Sequence, residues 1–207
     1  MDIVYTVGHS NHELERLIEL LKDKKVNLVL DVRSTPWSKR YPQFNRESLA
    51  RELTLQGIAY EWFGTWFGAR QTDDSHYMPD GWLNYASYTA SPDFMEGVRQ
   101  MDRLLERGKI PVLMCAEKDP FDCHRAIMVA RALSLTGYEI KHILADGSIL
   151  TQAQLDERLL DKYFPNRDVP DIFDLIEGET DPAKTLAEAY LKRNEAIAWR
   201  QENAEDQ

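Results

Sequence analysis

The strongest constraint on this chain is a pair of short runs with almost no polar side. Val26 to Val32 and Ile110-Pro111-Val112-Leu113-Met114-Cys115 are nearly continuous in apolar residues. A strand that is apolar on both faces must be covered on both, which is the pattern of a parallel sheet between two layers of helix. The rest of the chain is punctuated to match. Ile3 to Val7 is β-branched and aromatic before Gly8-His9-Ser10 breaks it, and Ile58 to Phe63 and Tyr138 to Leu144 read as further strands. Helical periods follow each strand. Ser10 and Glu13 have capping-box spacing ahead of Leu14, Leu17, Ile18 and Leu21, and Asn45 is placed to cap a helix through Leu49 and Leu53. Ser91-Pro92 opens a helix that runs to Gly108, another starts near Cys123 or His124 and stops at Gly137, and a third spans about Thr151 to Tyr163. Five alternations of strand and helix predict an α/β domain, a five-stranded, mostly parallel sheet flanked by helices.

With 207 residues, against roughly 150 per domain, one domain and an appendage fit better than two domains. We place the domain at residues 1–164 and a tail at 165–207, where Pro165 and Pro170 mark a linker and Asp181-Pro182 opens a helix to about Asn203. The tail holds 5 basic and 11 acidic side chains and carries most of the chain's net charge of -10. Leu186, Ala189, Tyr190 and Ala196-Ile197 form an apolar stripe, which predicts docking on the domain or a homodimer through this C-terminal helix. The acidic balance argues against a protein that coats DNA through a general positive field. No apolar run approaches the roughly 18 residues of a membrane span, and Met1 to Tyr5 lacks the basic start of a signal peptide, so a cytoplasmic location is expected.

The unusual side chains converge on one edge of this outline. His9 and Ser10 follow the first strand, Asp31 and Arg33 the second, and Cys115 and Glu117 the fourth, while Cys123-His124-Arg125 begins a helix. In open parallel sheets, ligands bind beyond the carboxyl ends of the strands. A thiol at a strand end or helix start can act as a nucleophile, which singles out Cys123, with Cys115 a second candidate or a small core residue. His9 and Glu117 are candidates for proton transfer. Ser10, Arg33, Arg40, His124 and Arg125 are candidate anion binders, with His9-Ser10 expected at the amino end of the first helix. The five basic residues between positions 32 and 51, opposed by Glu47 alone, form the one basic island. Tyr60 to Tyr88 holds nine aromatic residues, which suit either base stacking or the small core of a long loop. Glu117, Asp119 and Asp122, with no glycine among them, fit poorly in an anion-cradling thiolate loop between Cys115 and Arg125. Zinc is not expected either, because Cys115 and Cys123-His124 lack the short paired spacings of structural sites. The two cysteines are read as reduced thiols.

Taken in order, Thr6-Val7-Gly8-His9-Ser10-Asn11, Asp31-Val32-Arg33-Ser34, Pro42-Gln43-Phe44-Asn45, Gly81 through Tyr85, Cys115-Ala116-Glu117, Cys123-His124-Arg125 and His142-Ile143 resemble the domain of unknown function 488 family over about residues 1–150. Where a leucine, two glycines and an arginine are expected, the chain reads Phe67-Gly68-Ala69-Arg70. The resemblance implies a small α/β domain and names no cofactor and no catalytic roles. The residues themselves lead to an enzyme acting on a phosphorylated, nucleotide or nucleic-acid substrate in the strand-end crevice. The alternative is a non-catalytic ligand-sensing or nucleic-acid-associated module.

Overall fold

A computed structural model describes residues 2–167 and 181–201. Six strands form one sheet: β1 (Ile3–Gly8), β2 (Leu28–Asp31), β3 (Ala59–Trp62), β4 (Pro111–Cys115), β5 (Glu139–Ile143) and β6 (Ile149–Thr151). Their order is β3-β2-β4-β1-β5-β6. The first five are mutually parallel, with Gly8 opposite Cys115 and Asp31 opposite Met114. The sixth strand, absent from the sequence outline, pairs antiparallel with β5. It is only three residues long and runs straight into a helix, too short to show a period of its own.

Strand alternation divides the core in two. From β2 and β4, Val29, Val112 and Met114 meet α1 (Leu14–Asp23) and α2 (Arg46–Leu55) through Leu17, Leu20, Leu21, Leu49 and Leu53. Leu28, Leu30, Leu113 and Cys115 point the other way. On that side lie α3 (Gly64–Phe67), α4 (Tyr85–Thr89) and α5 (Pro92–Glu106), the helical segment 125–135, α7 (Gln152–Tyr163) and α8 (Pro182–Ile197). Both faces are therefore covered, as the two apolar runs require.

Several helix starts follow the expected chemistry. The Ser91 hydroxyl accepts from the Phe94 amide with Pro92 in the first turn, and Thr151 forms a capping box with Gln154. One start does not. Helix α1 begins at Leu14, Glu13 precedes it without a side-chain cap, and Ser10 sits at φ 48° with its hydroxyl on Asn11. Three residues of turn therefore separate His9-Ser10 from the helix end. Between Cys123 and Gly137, Arg125–Ala130 is a π-helical turn, buried at all six positions, which continues as α6 (Arg131–Leu135). A wide turn of this kind leaves no mark on a hydrophobic period.

The tail helix docks on the domain. Asn194 is buried and bonds the Tyr85 amide and the Leu83 carbonyl, Tyr190 joins the core, and Arg193 donates to the Phe121 carbonyl. The stripe predicted from Leu186, Ala189 and Tyr190 is thus used within the chain. Most of the linker and the helix end expected near Asn203 lie outside the described residues. Among those residues, no helix is long and apolar enough to cross a membrane.

Candidate functional site

Two side-chain networks meet at the carboxyl ends of the central strands. The first is built on β2. Asp31, fully buried, accepts from the Arg33 Nε (2.9 Å), the Arg33 Nη2 (2.5 Å) and the Tyr60 hydroxyl (2.8 Å). Arg33 also donates to the Phe44 carbonyl and, through Nη1, to His9 Nε2 at 3.2 Å. A guanidinium can only donate, so His9 Nε2 is the acceptor and Nδ1 carries the proton, donated to the Ser10 carbonyl at 3.0 Å. The His9 ring stacks on Phe44 at 4.2 Å. Burial and the adjacent Arg33 charge push its pKa down to about 4, so it is a neutral imidazole at pH 7. Burial opposes the charge on Arg33, but the Asp31 hydrogen bonds hold its pKa above the ordinary value.

The second network is built on β4 and the turn beyond it. A 3-10 turn, Pro120–Asp122, folds the chain back so that Cys123 and His124 return to Cys115 and Glu117. The sulfurs of Cys115 and Cys123 lie 3.0 and 2.9 Å from the same Glu117 Oε2, and 3.7 and 4.0 Å from His124 Nδ1. All four donor atoms fall within 4.8 Å of one another. Cys115, Cys123 and His124 are buried, whereas Glu117 is exposed as a residue with its carboxylate turned inward. His124 Nε2 donates to the Val32 carbonyl at 3.0 Å.

Crowding separates the ionisations of this quartet. Burial, Cys123 and Glu117 push the Cys115 thiol up. Burial acts to raise Cys123 too, but its hydrogen bond with Cys115 and the charges of Arg125 and His124 hold it below the usual thiol range. Burial and the neighbouring Cys123 raise Glu117, and His124 is raised against burial by its contact with Cys123.

The glycine at the end of β1 makes the close approach possible. A Cβ on Gly8 would lie 1.8 Å from the Glu117 carbonyl oxygen, so only glycine lets the 115–118 turn cross the strand end. His9 and Ser10 amides then bond the Cys115 and Ala116 carbonyls.

The remaining candidates are placed differently. Arg125 has no exposed surface and donates to the Glu117 (2.6 Å) and Lys118 (3.3 Å) carbonyls, so its partners are backbone dipoles rather than Glu117 or Asp31 carboxylates. It holds the turn that carries Glu117. Ser10 is bound to Asn11, and Arg40 is exposed, 5.4 Å over the Tyr41 ring, apart from both networks. Of the aromatic run, Phe63, Phe67, Trp82, Tyr85 and Tyr88 are core residues. Tyr60 and Trp62 are the ones that reach the site, the latter through Nε1 to the Arg33 carbonyl at 2.9 Å. On their outer side, with Arg46, Phe63 and Trp66, they line an open groove of about 460 Å³. The sequence pointed to Tyr60 and Trp62 only as members of the aromatic run and left Phe44 outside the site. Phe44 had a signal, its place in Pro42-Gln43-Phe44-Asn45, but a strand tyrosine and tryptophan look like any others.

No curated protein and no solved structure matches the chain. The family model described as Domain of unknown function DUF488 matches residues 13–132, which is 120 of 207 positions and includes β2, β4, the quartet and Arg33. The glycine turn after β1 and His142-Ile143 lie outside that match, yet the same fold carries them to the same edge of the sheet. With more than half its length matched, the chain belongs to the DUF488 family.

Proposed function

We propose that the chain is an enzyme whose reaction centre is the Cys115, Glu117, Cys123 and His124 quartet, acting on a phosphorylated, nucleotide or nucleic-acid substrate. The observation that carries this reading is the convergence of two thiols, a carboxylate and an imidazole within 4.8 Å at the ends of the central strands, where open α/β sheets bind ligands. Glu117 is the member that meets solvent, and so stands where a substrate would arrive. In this reading Cys123 is the reactive thiol, Glu117 takes or returns its proton, and His9 assists in proton transfer once Arg33 Nη1 releases its Nε2. Arg33, with His9 bound to it, sets the electrostatics of the crevice, and Asp31 holds Arg33 in place. Ser10 is the group offered to an anion beside the quartet, Arg40 lies apart from both networks and His124 is committed to Val32 and the sulfurs, and the aromatic groove beside Arg46 suits a base or another flat ring.

A thermal-shift screen of nucleotides, phosphorylated metabolites and short oligonucleotides tests the reading, because a ligand that binds only the folded chain raises its midpoint. Each compound that shifts the midpoint is then incubated with the protein and with Cys123→Ser and followed by mass spectrometry. Turnover that disappears in the variant while the thermal shift remains is the expected result. Turnover that survives the substitution removes the quartet from the chemistry, and a screen with no responding compound removes the substrate class.

A further inference from the structure

We infer that Cys115, Glu117, Cys123 and His124 bind one divalent transition metal of the zinc class. The inference rests on the preceding reading in taking the same quartet as the centre, and it names the cofactor; with an ion bound, Cys123 and Glu117 serve as ligands in place of the proton exchange between them. Four independent features agree with such a site. The donors are the first. Two sulfurs, one imidazole nitrogen and one carboxylate oxygen favour zinc, cobalt or iron over magnesium or calcium, which prefer oxygen alone. Spacing is the second. Metal–ligand bonds of about 2.0–2.3 Å at tetrahedral angles put donor atoms about 3.3–3.8 Å apart. The sulfurs stand 2.9 and 3.0 Å from Glu117 Oε2 and 3.7 and 4.0 Å from His124 Nδ1, so these four of the six pairs move by only about half an ångström to close around an ion, and the other two lie within 4.8 Å.

Support behind the ligands is the third. The Val32 carbonyl can only accept, so His124 Nε2 keeps its proton, and in the neutral ring the Nδ1 lone pair faces the sulfurs. A ligating histidine bound through its second nitrogen to a carbonyl is the usual outer support of a metal site. Arg125 clamps the Glu117 and Lys118 carbonyls, and Gly8 leaves room for that turn, so the segment bearing the fourth ligand is fixed from two sides. Access is the fourth. Three ligands belong to buried residues and Glu117 to an exposed one, which makes it the ligand that a water or a substrate oxygen replaces. The ligand positions 115, 117, 123 and 124 hide this arrangement because the turn at Pro120–Asp122, not the spacing, brings the two pairs together. Binding displaces the thiol protons of Cys115 and Cys123 into solvent, leaving two thiolates, a carboxylate and a neutral imidazole on the ion.

The test uses the full-length reduced chain, stripped with a chelator and titrated with Zn²⁺ or Co²⁺ alone. Saturation at one equivalent is expected. Co²⁺ should give the intense visible bands of tetrahedral geometry together with sulfur-to-cobalt charge transfer, and Zn²⁺ should protect both cysteines from alkylation. Cys123→Ser, checked for folding by circular dichroism, should weaken binding by at least about 100-fold, since loss of an outer-shell partner alone costs about 10–100-fold. Glu117→Gln should weaken it less and keep the charge-transfer band. If Cys123→Ser does not fold, the wild-type cobalt spectrum and alkylation rates decide. Absence of one-equivalent binding, or cysteines that alkylate equally fast with and without metal, overturns the inference. The two readings fail separately. Metal binding with no responding substrate leaves a metal site and removes the enzyme, whereas turnover by metal-free protein that binds no metal removes only the metal.

Discussion

The Asp31–Arg33 network and the cysteine quartet lie side by side and are built on opposite principles. In the first, every strong group has a fixed partner. Asp31 accepts from Arg33 and Tyr60, Arg33 is spread over Asp31, Phe44 and His9, and His9 is left in one tautomer. In the second, both sulfurs compete for one carboxylate oxygen and share one imidazole nitrogen, so several proton arrangements fit the same atoms. A closed network stiffens a fold; an under-determined one is open to an ion or a reactant. This contrast changes the meaning of Arg33, whose guanidinium is already committed to a carboxylate.

The contrast breaks most sharply at Asp31. Asp31→Ala leaves a buried guanidinium without its counter-ion and should destabilise the chain by about 3–5 kcal/mol, whereas Glu117→Gln, at the solvent side, should cost less than about 1 kcal/mol. Urea unfolding of the two variants measures both, and equal costs would erase the distinction between the networks. Gly8→Ala comes next. Its methyl group collides with backbone, so we expect about 1–3 kcal/mol of destabilisation and faster alkylation of Cys115 and Cys123 as the Glu117 turn is pushed away. Unchanged alkylation would mean that the turn does not guard the thiols.

The effect that is smallest at neutral pH supplies the acid baseline on which both are read. His142 is buried between the Thr6 hydroxyl and Gln152, and burial followed by the Arg125 charge lowers its pKa from 6.5 to about 4. The folded chain therefore keeps this ring neutral where the unfolded chain protonates it. Its contribution is intact above pH 6.5 and is lost as the pH falls through about 4, with a slope of up to about 1.4 kcal/mol per pH unit. His142→Gln should flatten the acid limb of the stability curve by one proton, and an identical slope in the variant would contradict the assignment.

Where the sequence was informative, the signal was local. The apolar runs at β2 and β4 carried the sheet, and Ser91-Pro92 carried a helix start, because burial on two faces and a cap are properties of neighbouring residues. Placing the chemistry at strand ends also brought His9, Asp31, Arg33, Cys115 and Glu117 to one edge. The failures share a cause. Ser10 matched a cap by spacing, but its backbone took a left-handed turn instead, and Arg125, read as an anion binder or the partner of a buried carboxylate, is received within the chain by the Glu117 and Lys118 carbonyls. The four donors were brought to one edge, but zinc was set aside because distance along the chain was taken for distance in space, across the turn at Pro120–Asp122. Tyr60 and Trp62 gain their roles only through pairing of β2 with β3.

Val32 gives the site a mechanical property. Its amide is bonded to the Met114 carbonyl on β4, while its own carbonyl receives His124. The imidazole is thus tethered to the end of one strand, and Cys115 belongs to the next. A shear of these two strands along their common axis reaches the gap between nitrogen and sulfur through that one hydrogen bond. The spacing of the quartet is therefore tied to the register of the two central strands as well as to the turn that carries Cys123 and His124.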